Sequence, residues 1–512
     1  MTGWPPRRLV LHQTETRLEK GWFQGLTGRV ICRLGSAGLI LVVRSRLIGY
    51  ACQQFNICKL MIPNNKHTRR SFLRTGAAAL AAPAITRAVN LNGNIQHACI
   101  GVGGMMGYHD FQNFNSHAKT KVVAICDVDK NNLDRVAKEL PGVRLYRDWR
   151  EMLVKEGDKI DSVNVTVPDH MHFPIAINAV RAGKHVYCQK PLCHDVAEVR
   201  ALTEATRKAG VKTQLGTQAA SGFGDRMGIH YVKQGLIGKV KHVYLCSNRP
   251  GAIDAYRLVG PRPKEKHAVP EQLDWDLWIG NAPERPFVPG IYHASKWRAW
   301  QDFGTGWSGD IGCHVFDATW KALGLTAPKS VSAKVQESWK KSAGRRGDTW
   351  PQSDHITWKF PGTSMTAKDE ITVEWFDGLI YPPDEARKWY PGETYPPESA
   401  LMVGTKGAIL IPNGGAPQLY PLDKFKGTAQ PKLETRNHYH HYLDAILGSA
   451  VNESFFEQTG PMTEAILLGT VAIRTPDEVL YWDPKKLAIT NNPVAHGLLK
   501  RNYRKGWEVA DF

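Results

Sequence analysis

Three short stretches carry residues whose types and spacing suit chemistry. In Gly183-Lys184-His185-Val186-Tyr187-Cys188-Gln189-Lys190-Pro191, a lysine follows directly on an apolar, strand-like run. The proline behind it bars a normal helical start and stiffens the loop. In Gly309-Asp310-Ile311-Gly312-Cys313-His314-Val315-Phe316-Asp317, helical geometry would put Asp310 and His314 at i and i+4, on one face and one turn apart. A histidine titrates near neutrality and can take the proton of a hydroxyl, while a neighbouring lysine can steady the alkoxide that forms. Asp310 could orient the imidazole or bind a second hydroxyl. Two ligand-type residues without a third at suitable spacing make a poor metal site, so no metal is expected. The third stretch, Gln96-His97-Ala98-Cys99-Ile100-Gly101-Val102-Gly103-Gly104-Met105-Met106-Gly107, reads as a strand, a glycine-rich turn and a helix starting near Met105. Glycines permit the tight backbone and close approach of a pyrophosphate, and the free N–H groups of a new helix face the anion. Gly101 and Gly103 fit G-x-G. The third glycine place of the dinucleotide pattern, however, holds Met106, and Gly107 comes one residue late.

The elements that must hold these residues alternate. Apolar runs at 121–126, 162–167, 185–188 and 211–215 read as strands. Helical patterns fall between them at 131–140, 148–156, 173–182 and 195–209, closed by Pro141-Gly142, Gly183 and Gly210. Such alternation predicts an α/β, doubly wound parallel sheet of the Rossmann type over residues 95–215. Lys190 then lies on the ligand-binding edge of that sheet. Asp127 ends the second strand, twenty residues past Gly107, where a carboxylate accepts hydrogen bonds from ribose hydroxyls and repels a 2′-phosphate. NAD is therefore expected over NADP. After residue 216 tryptophans cluster, and runs such as 240–247, 353–360 and 371–375 alternate in polarity. They predict an α+β domain with a large, mainly antiparallel sheet over 216–490, followed by a surface tail at 491–512. Arg298, Trp297 and Trp300 suit the lining of a sugar pocket, since aromatic faces and a guanidinium match hydroxyl-rich rings. His438, His440 and His441 cluster at the start of a helix at 437–447 and read as its solvated face, the alternative being that one of them reaches the active site.

The chain has 512 residues, 42% of them apolar, and a net charge of +18. That charge invites a nucleic-acid reading, but its distribution argues against one. Residues 1–60 hold nine Lys/Arg against two Asp/Glu, and residues 61–84 hold four against none, so eleven of the eighteen net charges precede residue 85. Residues 61–90 contain Thr68-Arg69-Arg70-Ser71-Phe72-Leu73-Arg74, a short apolar run and Ala82-Pro83-Ala84, the order of a twin-arginine (Tat) export signal. A periplasmic protein handled by the Tat machinery is expected. The run is too short and Ala-rich to span a membrane, and no cysteine follows to carry a lipid anchor. Residues 1–60 fit no pattern and read as a disordered, mis-assigned extension before a start at Met61. The six cysteines after residue 90 lack C-x-x-C spacing and read as buried free thiols.

Taken together, the glycine turn, Thr166-Val167-Pro168-Asp169-His170-Met171-His172, Lys190-Pro191 and the Asp310/His314 pair resemble the Gfo/Idh/MocA oxidoreductase family, in that family's order. Trp275-Asp276-Leu277-Trp278-Ile279-Gly280, Trp297-Arg298, Phe303-Gly304 and Gly309-Asp310 resemble its exported bacterial subgroup. The resemblance covers about residues 95–480. It implies a Rossmann domain, then a domain whose open sheet often supports dimers or tetramers. It also implies NAD(P)-dependent oxidation or reduction of a sugar, cyclitol or glycoside hydroxyl. Lys190 matches the E-K-P lysine that contacts the reacting hydroxyl and the nicotinamide. Asp310 and His314 match the D-x-x-x-H pair, with the histidine as general base or acid. His172 matches the histidine after the T-x-P turn, near cofactor or substrate, and Val167 and Pro168 lie in that turn. The family's glutamate before the lysine is Gln189 here. The exchange removes a charge, and Lys190 is expected to titrate lower or to depend less on a partner. Two other readings remain: a glycoside hydrolase that uses bound NAD for transient oxidation, elimination and re-reduction, and a cofactor-bound binding protein without turnover.

Overall fold

A computed structural model describes residues 93–248, 260–390 and 395–512; the expectations for residues 1–90 fall outside them. The first sheet is built from β1 (Ile95–Ile100), β2 (Thr120–Cys126), β3 (Arg144–Tyr146), β4 (Ser162–Val165), β5 (His185–Cys188) and β6 (Thr213–Leu215). All of its pairings are parallel, in the order β3-β2-β1-β4-β5-β6. Helices cover both faces of the sheet, which demands apolar runs in its strands rather than alternation. The crossovers are α1 (Gly104–Asn115), α2 (Lys130–Glu139), α3 (Trp149–Glu156), α4 (His172–Arg181) and α5 (Val196–Ala209). Asp129 and Asp148 cap α2 and α3 by accepting the N–H groups of Asn131 and Arg150. The strand order reverses between β1 and β4, and ligands of such sheets bind in the crevice that opens there.

Helix α6 (Phe223–Lys233) leads into a nine-stranded sheet. Its strands are β7 (Val240–Ser247), β8 (Ser330–Val335), β9 (Asp354–Pro361), β10 (Glu370–Asp377), β11 (Glu398–Gly404), β12 (Ala408–Pro412), β13 (Gln418–Tyr420), β14 (Leu480–Asp483) and β15 (Ala488–Ile489). The order is β13-β12-β11-β7-β10-β9-β8-β14-β15, antiparallel except where β7 runs parallel to β10. Helices α7 (Trp275–Ile279) and α8 (Gly306–Leu323) lie between β7 and β8 in the chain. Nearly every residue of α8 is buried, because it packs against α6 and also against α10 (Phe456–Arg474). Helix α10 carries Pro461 inside its second turn.

Two expectations change. Helix α9 (His438–Ile446) follows the second sheet in the chain but packs on the first. Its Tyr439, Tyr442, Leu443 and Ile446 share a core cluster with Val102, Phe111, Phe114 and Ile125. His438 therefore faces inward rather than solvent. Its ring meets Leu215 O at 2.9 Å and Ser221 Oγ at 2.8 Å, and burial pushes its pKa down to about 3.

Residues 491–512 are likewise no surface tail. Leu499, Trp507 and Val509 are buried in the main core. The Arg501 guanidinium pairs with Asp195 at 3.1 Å and Glu198 at 3.4 Å, and donates to the carbonyls of His170 and Asp302. Tyr503 donates to Glu198 at 2.5 Å. The short apolar and aromatic residues of this segment are spaced by polar ones, so only the surface they meet makes them core.

Replacing Arg501 by Met would leave two buried carboxyl groups without their cation. Arg501→Met is expected to lower stability by about 3–5 kcal/mol at pH 7, read as a lower urea midpoint. An unchanged midpoint would mean that the C-terminal segment adds nothing to the fold.

Candidate active site

The glycine turn follows β1 at the crevice. Gly101 has φ +82°, and a Cβ there would lie 2.0 Å from Thr166 O, so only glycine fits between the β1 and β4 loops. A Cβ at Gly107 would lie 2.8 Å from Gly101 O. Gly107 thus provides the close helix-to-turn packing for which the pattern's third glycine exists, and Met106 is left beside the cavity. Gly103 caps α1 with no side-chain hydrogen bond, and Gly104, φ +59°, meets open space. The first-turn N–H groups of α1, from Gly104, Met105 and Met106, are left for an anion. Asp127 ends β2 and is fixed by the N–H groups of Val102 at 3.0 Å and Asp129 at 2.9 Å, with Asn132 at 3.2 Å. Val167 and Pro168 form the opposite wall. An uncapped helix start, a close glycine turn and a carboxylate at the second strand's end together fit a dinucleotide.

The cavity continues to the second chemical group, with a volume of about 1060 Å³. That is ample for a dinucleotide and a small substrate. The loop after β5 brings Lys190 to α8, where its Nζ lies 2.5 Å from Asp310 Oδ1 and 3.1 Å from Asp310 O. Arg298 Nε reaches Asp310 Oδ2 at 3.1 Å, and its guanidinium lies 4.2 Å over the Trp297 ring. Burial alone would raise the Asp310 pKa, but the Lys190 and Arg298 cations overcome it and hold the carboxylate at about 2. His314 is partly buried one turn along α8 and lines the same cavity. The helix predicted from the i, i+4 spacing is therefore present, with both side chains at the cavity wall.

Gly101, Gly103, Gly104, Met105, Met106, Gly107, Asp127, Val167, Pro168, Gln189, Lys190, Trp297, Arg298, Asp310 and His314 all meet around this cavity. Two expected residues do not. Trp300 is a core residue, 2% exposed, whose indole donates to Ile291 O at 3.0 Å. His172 lies behind the wall, with Nδ1 2.6 Å from Pro191 O and Nε2 2.8 Å from Val167 O. It joins the two loops that carry Lys190 and Pro168, and burial pushes its pKa down to about 4.

Gln189 has a different partner from the one expected. Its amide donates to the buried Asp110 at 2.9 and 3.2 Å, while the charge facing Lys190 is that of Asp310. Asp110, on α1, also accepts from Thr166 at 2.7 Å and Tyr439 at 2.8 Å. Sequence reading missed Asp110, because nothing at its position announces three donors from β4, β5 and α9. It also missed Asp169, which lies inside the quoted Thr166–His172 motif and lines the cavity.

Residues 95–217 match the model of an oxidoreductase family's NAD-binding Rossmann fold, and residues 226–352 match that family's C-terminal alpha/beta domain. The myo-inositol 2-dehydrogenase of Thermotoga maritima is 29% identical over 160 residues, 31% of this chain and 47% of that protein. The alpha-N-acetylgalactosaminidase of Shewanella oneidensis is 26% identical over 207 residues, 34% of this chain and 44% of that protein. The chain thus spans about half the length of the curated relatives it matches. An inositol dehydrogenase homolog of Azotobacter vinelandii, solved with NADH and myo-inositol, superimposes with a TM-score of 0.51 at 16% identity. That likeness covers 76% of this chain and 98% of the other, and concerns the fold.

Restoring a glutamate before the lysine should be harmful in this chain. Gln189→Glu sets a second carboxyl against the buried Asp110, which raises the pKa of the new acid above its unfolded value. Its cost is full above that raised pKa and fades as pH falls toward about 4.3, the ordinary glutamate value. Urea unfolding should show a loss of several kcal/mol at pH 8 that shrinks by pH 5; an equal loss at both pH values would refute the Asp110 pairing.

Proposed function

The chain belongs to the Gfo/Idh/MocA oxidoreductase family, and we propose that it transfers a hydride between a nicotinamide cofactor and a hydroxyl of a sugar, cyclitol or glycoside. The observation that carries this reading is one continuous cavity, with the glycine turn and Asp127 at one end and Lys190, Asp310 and His314 at the other. The cofactor, when bound, supplies the two-electron acceptor or donor. The α1 amides would hold its pyrophosphate, and Asp127 would accept from the adenosine ribose hydroxyls. The Asp127 carboxylate disfavours a 2′-phosphate, which supports NAD over NADP.

At the other end a carbinol loses its C–H hydrogen as hydride and its O–H hydrogen as a proton. Lys190 Nζ faces the oxygen and steadies the developing alkoxide. The His314 imidazole takes the hydroxyl proton. Asp310 keeps the lysine ammonium in place from one side while Arg298 holds the carboxylate from the other. Trp297 and Arg298 offer an apolar face and a guanidinium to a hydroxyl-rich ring.

The proposal extends to a mature protein exported by the Tat route to the periplasm, supported by Arg69-Arg70 and the small-residue run that follows. It also extends to a homo-oligomer, dimer or tetramer, supported by the broad nine-stranded sheet. The hydrolase reading stays as the second one, because relatives such as the Shewanella enzyme are named glycosidases.

Mass spectrometry of the bound dinucleotide, followed by a panel of sugars, cyclitols and aryl glycosides, separates these readings. Net NADH formation supports the dehydrogenase, and aglycone release at constant NADH supports the hydrolase. His314→Ala and Lys190→Ala are each expected to reduce turnover by about 10²–10⁴-fold. A fully active double variant would refute the site.

A further inference from the structure

Asp169 has no part in the mechanism above, yet it is a carboxyl group of the cavity's Lys190–Asp310 end. It follows Pro168 at the end of β4, lines the cavity and is 1% exposed. Its Oδ2 is fixed by Thr305, from the backbone N–H at 3.2 Å and the hydroxyl at 2.9 Å. Thr305 directly precedes α8 and makes no side-chain bond to that helix, so its hydroxyl is spent on Asp169 at the start of the helix that carries Asp310 and His314. The next residue, His170, is buried, with its ring near the carbonyls of Trp278 and Ile279 and its N–H donating to Phe303 O. The charged groups that act on Asp169 are Asp310 on α8, Arg298 from the turn at 296–299, and Lys190 after β5. The Cys188 thiol of β5 also feels its charge.

The environments of the two carboxyl groups push them apart. Burial first and the Asp310 charge second raise the Asp169 pKa to about 7, against the opposing pull of Arg298, Lys190 and the Thr305 hydroxyl. Asp310 stays charged throughout, at about 2. One group is a fixed counter-ion and the other changes charge near neutrality, which is how paired carboxyls divide electrostatic and proton-carrying roles.

Resting on the hydride-transfer reading, we propose that Asp169 is the resting place of the reaction's proton. The substrate O–H and C–H bonds break and a C=O bond forms. The hydride leaves with its two electrons to the oxidised nicotinamide cofactor, and the proton, passed on from the base that first takes it, ends on the Asp169 carboxylate. In the reductive direction the Asp169 acid returns it. Oxidation then needs the carboxylate form and slows as pH falls.

Infrared difference spectra of the cofactor-loaded protein, taken between about pH 5.5 and 8.5, read this group directly. Buried Asp377, beside Asp354, also has its pKa raised to about 7, so the reading is the wild-type minus Asp169→Asn difference, in which a protonated-carboxyl C=O stretch is expected to vanish through a midpoint near neutrality. Wild-type oxidation should fall about tenfold per unit below that midpoint. Asp169→Asn should lose this limb while keeping its affinity for NAD. Thr305→Val removes one donor to Oδ2 and should move both midpoints upward. If Asp169→Asn does not fold, Asp169→Glu should keep a displaced limb. Carboxyl bands that do not differ between wild type and Asp169→Asn, or an acid limb unchanged in the variant, overturn the inference alone. Wild-type protein that turns over no polyol or glycoside overturns the hydride-transfer reading, and the inference with it.

Discussion

The site depends on one carboxylate staying charged where burial works against charge. Asp310 is 4% exposed, yet Lys190 and Arg298 keep it ionised. The three residues come from a helix of the second domain, a loop of the first sheet and an irregular segment between β7 and β8. Removing either cation would leave a buried charge partly uncompensated, which costs far more than the pair's net worth. The cluster is thus a clamp on geometry: it holds the lysine ammonium at one point of the cavity wall and ties α8 to the end of β5. The negative charge it preserves also shapes its neighbour, because burial first and the Asp310 charge second make Asp169 in the same cavity hold its proton to a higher pH.

Around that clamp the two sheets are joined by buried polar contacts as well as by a shared apolar core. Thr305 binds Asp169, Arg501 binds the His170 and Asp302 carbonyls, and the His194 ring lies against Gln301 O at 2.9 Å. All but the Arg501–Asp302 contact end on the loops after β4 or β5, where the cavity opens. On the far side, Asp110 gathers donors from β4, β5 and α9 beneath the glycine turn. Buried groups of this kind are costly when unpaired and directional when paired. Their common effect is to set the positions of the cavity-lining loops to within a hydrogen bond's tolerance.

Much of this was legible in the chain. Parallel strands buried on both faces leave near-continuous apolar runs, so the βα alternation and its glycine turn could be read in order. Asp310 and His314 could be placed together because a helix makes neighbours of residues four apart. Lys190 could be put at the ligand edge because a strand's end lies there in any doubly wound sheet. These are local rules, and they held for the residues to which they apply.

What failed was decided by contacts far apart in sequence. Trp300 and Trp297 are three residues apart and chemically alike, but the turn at 296–299 points one into the core and leaves the other on the cavity. Gln189 and Lys190 are adjacent, yet one meets Asp110 and the other Asp310, 79 and 120 positions away along the chain. His438 and the last twenty residues carry no periodic signal, and became core only because α9 and the C-terminal segment return to the first domain. The sequence by itself determined the fold, the turn that suits a dinucleotide and the lysine, aspartate and histidine that meet at the cavity wall, since these follow from backbone periodicity and local chemistry. The tertiary structure alone decided which carboxyl group is a fixed counter-ion and which can carry a proton, because burial and the sum of neighbouring charges set those properties and neither is written in local spacing.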